Sequence, residues 1–138
     1  MSEYIARAAV LLILVLVPSS LLAQGGPNCK DPQTQTDMNI CAGQDYKAAD
    51  SELNITYKAA IAQMKDMDAD LPPELKGAEK TLREAQRAWI PYRDKACESH
   101  GFMARGGSME SMLVGSCLAD LTRKRTKELK DLARGLAN

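Results

Sequence analysis

Three blocks of this chain set apolar side chains at intervals of three and four, and no stretch alternates with a period of two. That spacing lines one face of a helix, so an all-α fold is expected. The first block opens at Gln35 and carries Met38, Cys41, Ala42, Ala49, Leu53, Tyr57, Ala60, Ile61, Met64 and Met67, with Thr34 or Thr36 as its cap. Gly43 falls inside it and marks a loosened turn, at a cost of about 1 kcal/mol relative to alanine. Residues 68–73 break the pattern, and Pro72-Pro73 suits the opening turn of a second helix from about Pro73 to Cys97. Its seam reads Leu75, Ala78, Leu82, Ala85, Trp89, Tyr92 and Ala96; Pro91, inside it, predicts a kink near Arg87. After a connection over 98–108 with three glycines, a third helix is expected from Ser108 toward Ala137. Its stripe is Met109, Met112, Leu113, Cys117, Leu121, Leu129, Leu132 and Leu136. The architecture predicted is a small antiparallel three-helix arrangement.

The N-terminus reads as an export signal. Residues 1–7 are a short polar head with one basic side chain, and 8–17 are an unbroken apolar run. A cut is expected after Ala23. The run is shorter than the roughly 20 apolar residues a membrane span needs. Cleavage would leave an irregular leader at 24–34 and a helical domain at 35–138, periplasmic or secreted, with no membrane span. Four cysteines in such a chain imply two disulfides. Three connectivities exist; the sequence-local pairs, Cys29–Cys41 and Cys97–Cys117, are favoured. An up-down-up topology gathers all four cysteines at one end, which leaves the other pairings open. A metal site is disfavoured, because Cys97 and His100 would have to join distant cysteines in an oxidising compartment. With 18 basic and 18 acidic residues the chain has no net field to attract nucleic acid or anionic lipid. The basic run Arg123-Lys124-Arg125 fits a solvated helix end, where cations favour the dipole.

Catalytic chemistry finds little to work with. The single histidine, His100, has no nucleophile elbow near it in sequence, and no phosphate loop or paired metal-ligand motif occurs. No catalytic residue, metal or cofactor is expected. Trp89 and Tyr92, at helical spacing in a chain poor in aromatics, read as core. The polar residues Gln86, Arg87, Arg93 and Asp94 within the second block are unusual for a packing helix. They suggest a clamp, with Arg93 and Asp94 meeting Asp50 and Asn54 of the first helix through a bidentate arginine–carboxylate pair that fixes register. Asn54-Ile55-Thr56 matches the glycosylation tripeptide but sits mid-helix and carries no weight.

Taken together, Thr34-Gln35-Thr36-Asp37-Met38-Asn39-Ile40-Cys41-Ala42, then Tyr46, Ala49, Asp50, Leu53, Asn54 and Tyr57, resemble the N-terminal domain family of LprI-like lysozyme inhibitors. The likeness continues through Gln86-Arg87-Ala88-Trp89-Ile90, Tyr92-Arg93-Asp94 and Cys97, then Gly106-Gly107-Ser108, Cys117 and Leu121-Thr122-Arg123. Pro91 departs from the non-proline residue usual there. The resemblance implies a small exported helical domain whose partner is lysozyme, with no catalytic set to carry over. A blocking module needs a rigid projection, and the connection at 98–108 is the candidate. Phe102 and Met103 would be its apolar anchor, with His100 and Arg105 placed to meet carboxylates in the partner's cleft. A competing surface is the acidic turn at 66–74, suited to steering a basic partner. The alternative role is an envelope or stress-related interaction protein, favoured if Met64, Met67, Met103, Met109 and Met112 are exposed.

Overall fold

The computed structural model describes residues 26–135. The expected signal at 1–23, the first residues of the leader and Leu136 lie outside that range. Three helices follow in order: α1 (Gln35–Ala69), α2 (Ala78–Gly101) and α3 (Glu110–Arg134), with short 3-10 turns at Pro73–Leu75 and Phe102–Ala104. The described residues contain no strand.

Helix α1 starts where Thr34 caps it. The Asp37 amide donates to Thr34 Oγ1 at 3.0 Å while the Thr34 amide donates to Asp37 Oδ2 at 3.2 Å. This reciprocal pair satisfies donors that a helix start leaves orphaned. The helix runs unbroken through Gly43.

Helix α2 begins at Ala78, five residues later than the prolines suggested. Pro72 and Pro73 instead shape a 3-10 turn, and Gly77 then adopts φ 145°, a conformation that side-chain-bearing residues avoid. The start is capped from the end of α1. The Asp68 carboxylate accepts the amides of Gly77, Ala78 and Glu79 at 2.9, 2.9 and 3.1 Å. These bonds, Gly77's foremost, hold the Asp68 carboxyl below the usual range. The helix then continues through Pro91 to Gly101.

The chain goes up, down and up again. Helices α1 and α3 therefore run parallel, tied by Arg123 to Asp45 and by Lys130 to Glu52, while α2 runs against both. They approach tightly at Gly115, where an added Cβ would lie 3.1 Å from Ala42 Cβ and 3.2 Å from its carbonyl carbon. That proximity explains why the buried face of α3 is Gly115, Ala119, Thr122, Thr126 and Leu129, small side chains for the most part. Two members of the expected stripe, Met109 and Leu132, are exposed instead. The helix starts at Glu110 rather than Ser108, since residues 105–109 are spent on the turn.

Helix α2 turns a different face inward from the seam expected. Leu82, Gln86, Arg93 and Cys97 are buried, whereas Leu75, Ala85 and Tyr92 are exposed. The apolar core gathers Leu53, Ala60, Ile61, Met64, Leu82 and Leu129, with Tyr57, Ala78, Trp89 and Ala133 packed against it. Toward the cystines the buried residues are small, Ala42, Ala49, Cys97, Gly115 and Ala119, and Arg93 and Thr122 separate them from the apolar core. Two disulfides close that end, Cys29–Cys41 and Cys97–Cys117, each with Cα atoms 5.4 Å apart.

Candidate functional site

Arg93 sits where the three helices meet and is only 6% exposed. Its Nη1 reaches Asp50 Oδ1 on α1 at 3.3 Å and Thr122 Oγ1 on α3 at 3.4 Å. Its Nε and Nη2 both approach Asp94 Oδ1, at 2.9 and 2.8 Å. The guanidinium also lies over two rings, Tyr46 of α1 at 5.2 Å and Trp89 of its own helix at 5.0 Å. Asn54 Nδ2 donates to the other Asp50 oxygen at 3.0 Å. A planar cation of this kind can bond in its plane and stack on its faces at once, which an ammonium cannot.

The contact of Arg93 with α1 is thus a single bond to Asp50, not the bidentate fork expected. Asp50 spends its second oxygen on Asn54, and the doubled contact falls on Asp94 in the same helix. Gln86, buried about two turns before Arg93, accepts from Arg125 Nε of α3 at 3.1 Å. Tyr57 packs on the apolar core. Tyr92 does neither: it is 64% exposed, because Trp89 and Arg93 occupy the inward positions on either side of it.

The second cluster is the connection between α2 and α3. Gly101 ends α2 against α3, where a Cβ would meet Val114 Cγ2 at 2.5 Å. The chain then makes a 3-10 turn and crosses Gly106 at φ 75°. Glu110, in the first turn of α3, gathers the loop onto itself. Its Oε2 accepts the Gly106 amide at 2.8 Å, its Oε1 pairs with Arg105 Nη1 at 2.7 Å, and its own amide donates to the Gly107 carbonyl at 3.2 Å. The Gly106 amide, with Arg105 beside it, keeps the Glu110 carboxyl below the usual range. Arg105 in turn lies over the Phe102 ring at 4.5 Å. From α1, Asn39 Nδ2 bonds the Ser108 carbonyl at 3.0 Å. The Cys97–Cys117 bridge closes the base.

Of the sequence candidates, Phe102, Met103 and Arg105 are exposed on this connection, and His100 is exposed in the last turn of α2. Arg105 is committed to Glu110 and Phe102 and is not a free cation. The methionines divide: Met64 is buried and Met112 half-buried, while Met67, Met103 and Met109 are exposed. At the far end, Asp68 is occupied by the cap of α2. Sequence reasoning placed Tyr46 and Thr122 in the resemblance, Arg125 in a basic run and Asp68 in the acidic turn, but assigned none of these, nor Glu110, the contacts they make. A carboxylate just after a Gly-Gly turn was the one available hint of Glu110.

A family model described as "Lysozyme inhibitor LprI" matches residues 28–129. A protein of Rhizobium meliloti (strain 1021), described as uncharacterized protein R02472, is 50% identical over 136 residues, covering 96% of this chain and 98% of its own. The uncharacterized protein YecT of Escherichia coli (strain K12) is 31% identical over 74 residues, 50% of this chain and 45% of its own. A crystal structure of a DUF1311 family protein from Pseudomonas putida KT2440 shares the fold. Its TM-score is 0.61 over 78% of this chain and 99% of that one, at 22% identity.

Proposed function

This chain belongs to the LprI family, and on that premise we propose that it binds lysozyme and blocks it by protein–protein contact, without catalysis of its own. The reading includes export, with residues 1–23 as the signal. Among the described residues, no helix is long and apolar enough to cross a membrane.

The observation that carries the choice of surface is the connection at 102–109. Phe102 and Met103 are 56% and 69% exposed, yet the backbone beneath them is held by Glu110, by Asn39 and by a disulfide. A backbone already fixed loses little freedom when a partner covers it, so the cost of binding is confined to the side chains and more of the contact energy appears as affinity. An aromatic anchor surrounded by polar neighbours is also the commonest form of a binding hot spot. The acidic turn at 66–74 is the weaker candidate, because Asp68 is already spent on three backbone amides.

A cell-wall lysis assay tests the reading. Purified, oxidised protein lacking residues 1–23 should suppress lysozyme stoichiometrically, and Phe102→Ala with Met103→Ala should weaken inhibition at least about tenfold, a loss near 1.4 kcal/mol. Inhibition of equal potency in the double variant would remove the connection from the account. No inhibition by the unaltered protein at high micromolar excess, across several lysozymes, would remove the function.

A further inference from the structure

The two disulfides stand in very different surroundings. Cys97 is fully buried and its bridge joins the ends of two packed helices. Cys29 is exposed, and its bridge joins the leader at 26–33 to the second turn of α1. The leader's hydrogen bonds among the described residues are internal. Asp31 bonds the Asn28 carbonyl, Lys30 the Asn28 side chain, and Gln33 the Asp31 carbonyl. Cys29 Sγ lies 3.4 Å from Gln44 Oε1, but a disulfide sulfur has no proton to donate. Only Pro27 and Pro32 of this segment are half-buried; the rest is exposed. Beside it lies a groove whose lining includes Cys29 and Pro32 of the leader, Met38 and Cys41 of α1, and Met112 and Ser116 of α3. The leader is therefore a strap that walls one side of a sulfur-rich groove and is cross-linked to α1 by one accessible disulfide.

We propose that Cys29–Cys41 is a thiol–disulfide exchange site for a dithiol reductant, and that its opening frees the strap while the three-helix body stays folded. The reductant's thiolate attacks Cys29 Sγ, the exposed sulfur, to form a mixed disulfide. The Cys29–Cys41 bond breaks, and its electron pair leaves on Cys41 as a thiolate that takes up a proton. The reductant's second thiol, deprotonated, then attacks its own sulfur in the mixed disulfide and releases Cys29, which is protonated in turn. The cystine gains two electrons and the dithiol becomes a cyclic disulfide. Cys97–Cys117 is the less accessible bridge, because Cys97 is fully buried and Cys117 half-buried, whereas Cys29 is exposed. Release removes the wall that Cys29 and Pro32 give the groove and widens access to Met38 and Met112, two adaptable apolar side chains. None of the groove's lining residues belongs to the apolar core, so the opening leaves that core intact.

Graded dithiothreitol followed by rapid alkylation and mass analysis of the whole oxidised chain reads the order of opening. Cys29 and Cys41 should be alkylated at least about tenfold faster than Cys97 and Cys117. Far-ultraviolet circular dichroism should keep its helical signal at the stage when only the first pair is open. A Cys29→Ser, Cys41→Ser variant should stay helical, with faster amide exchange confined to the first turns of α1. Simultaneous opening, prior opening of Cys97–Cys117, or loss of helix on opening the first pair would each overturn the proposal. None of these readouts involves lysozyme, so they stand apart from the function proposed above.

Discussion

Replacing Arg93 with alanine should cost about 3 kcal/mol of stability. The largest contribution is the set of charge-assisted bonds, worth about 1.5–3 kcal/mol net for a charged group. Stacking on Tyr46 and Trp89 adds roughly 0.5–1 kcal/mol per ring. Breaking a buried ion pair can cost about 3–5 kcal/mol, but that figure belongs to partners left stranded without water. Here the Asp50 and Asp94 side chains are 38% and 53% exposed, so both carboxylates rehydrate and the total stays near the lower bound. For a domain of this size each kcal/mol moves the melting midpoint by about 4 °C, so a drop of roughly 12 °C is expected. Urea unfolding of the oxidised protein, followed by circular dichroism, should show a lower midpoint with an unchanged slope. Arg93→Lys separates charge from geometry. An ammonium keeps the charge but loses the planar fork and the stacking, so it should recover only about 1 kcal/mol of the loss. A cost below about 1 kcal/mol for the alanine variant, or full stability with lysine, would refute the view of Arg93 as the junction of the three helices.

Gly115→Val should lower the urea midpoint by the equivalent of about 1–3 kcal/mol, because its added carbons meet the Ala42 backbone on a neighbouring helix and not a side chain that can swing away. Asp68→Asn tests the cap of α2 through pH. The folded Asp68 carboxyl titrates below its unfolded value, so its contribution is present above the usual aspartate range and is lost as pH falls through the folded value. The gap in melting temperature between wild type and variant should therefore be full at pH 7 and should close progressively below about pH 4. Glu110→Ala should speed exchange of the Gly106 amide at least about tenfold while leaving the helical signal intact, since the bond lost belongs to the connection alone.

Helix number, order and topology were legible because long 3.6-residue periods separated by proline and glycine admit few alternatives. Thr34, as one of two possible caps, and both local cystine pairs were also within reach, since each depends on neighbours in the chain. The inward face of α2 was not. Counting apolar residues selects Ala85 and Tyr92, but the structure buries Gln86 and Arg93, whose partners Arg125, Asp50 and Thr122 come from the other helices. A buried polar residue is tolerable only when distant groups satisfy it, and no local pattern records those groups. The start of α2 was misplaced for the same reason: its cap, Asp68, is nine residues before Gly77 and belongs to the preceding helix. On α3, close approach to α1 replaced large side chains with glycine, alanine and threonine, so the Met109 and Leu132 ends of the expected stripe were left outside. The connection at 98–108 was visible as a glycine-rich segment, whereas its order depends on the side chain of Glu110 just beyond it.

Hydrogen exchange of the oxidised protein, with and without saturating lysozyme, tests the proposed binding surface most directly. Slowed exchange centred on residues 98–109, with the turn at 66–74 unchanged, is the expected result. Slowing at 66–74 instead, or no change anywhere at saturating partner, would contradict it.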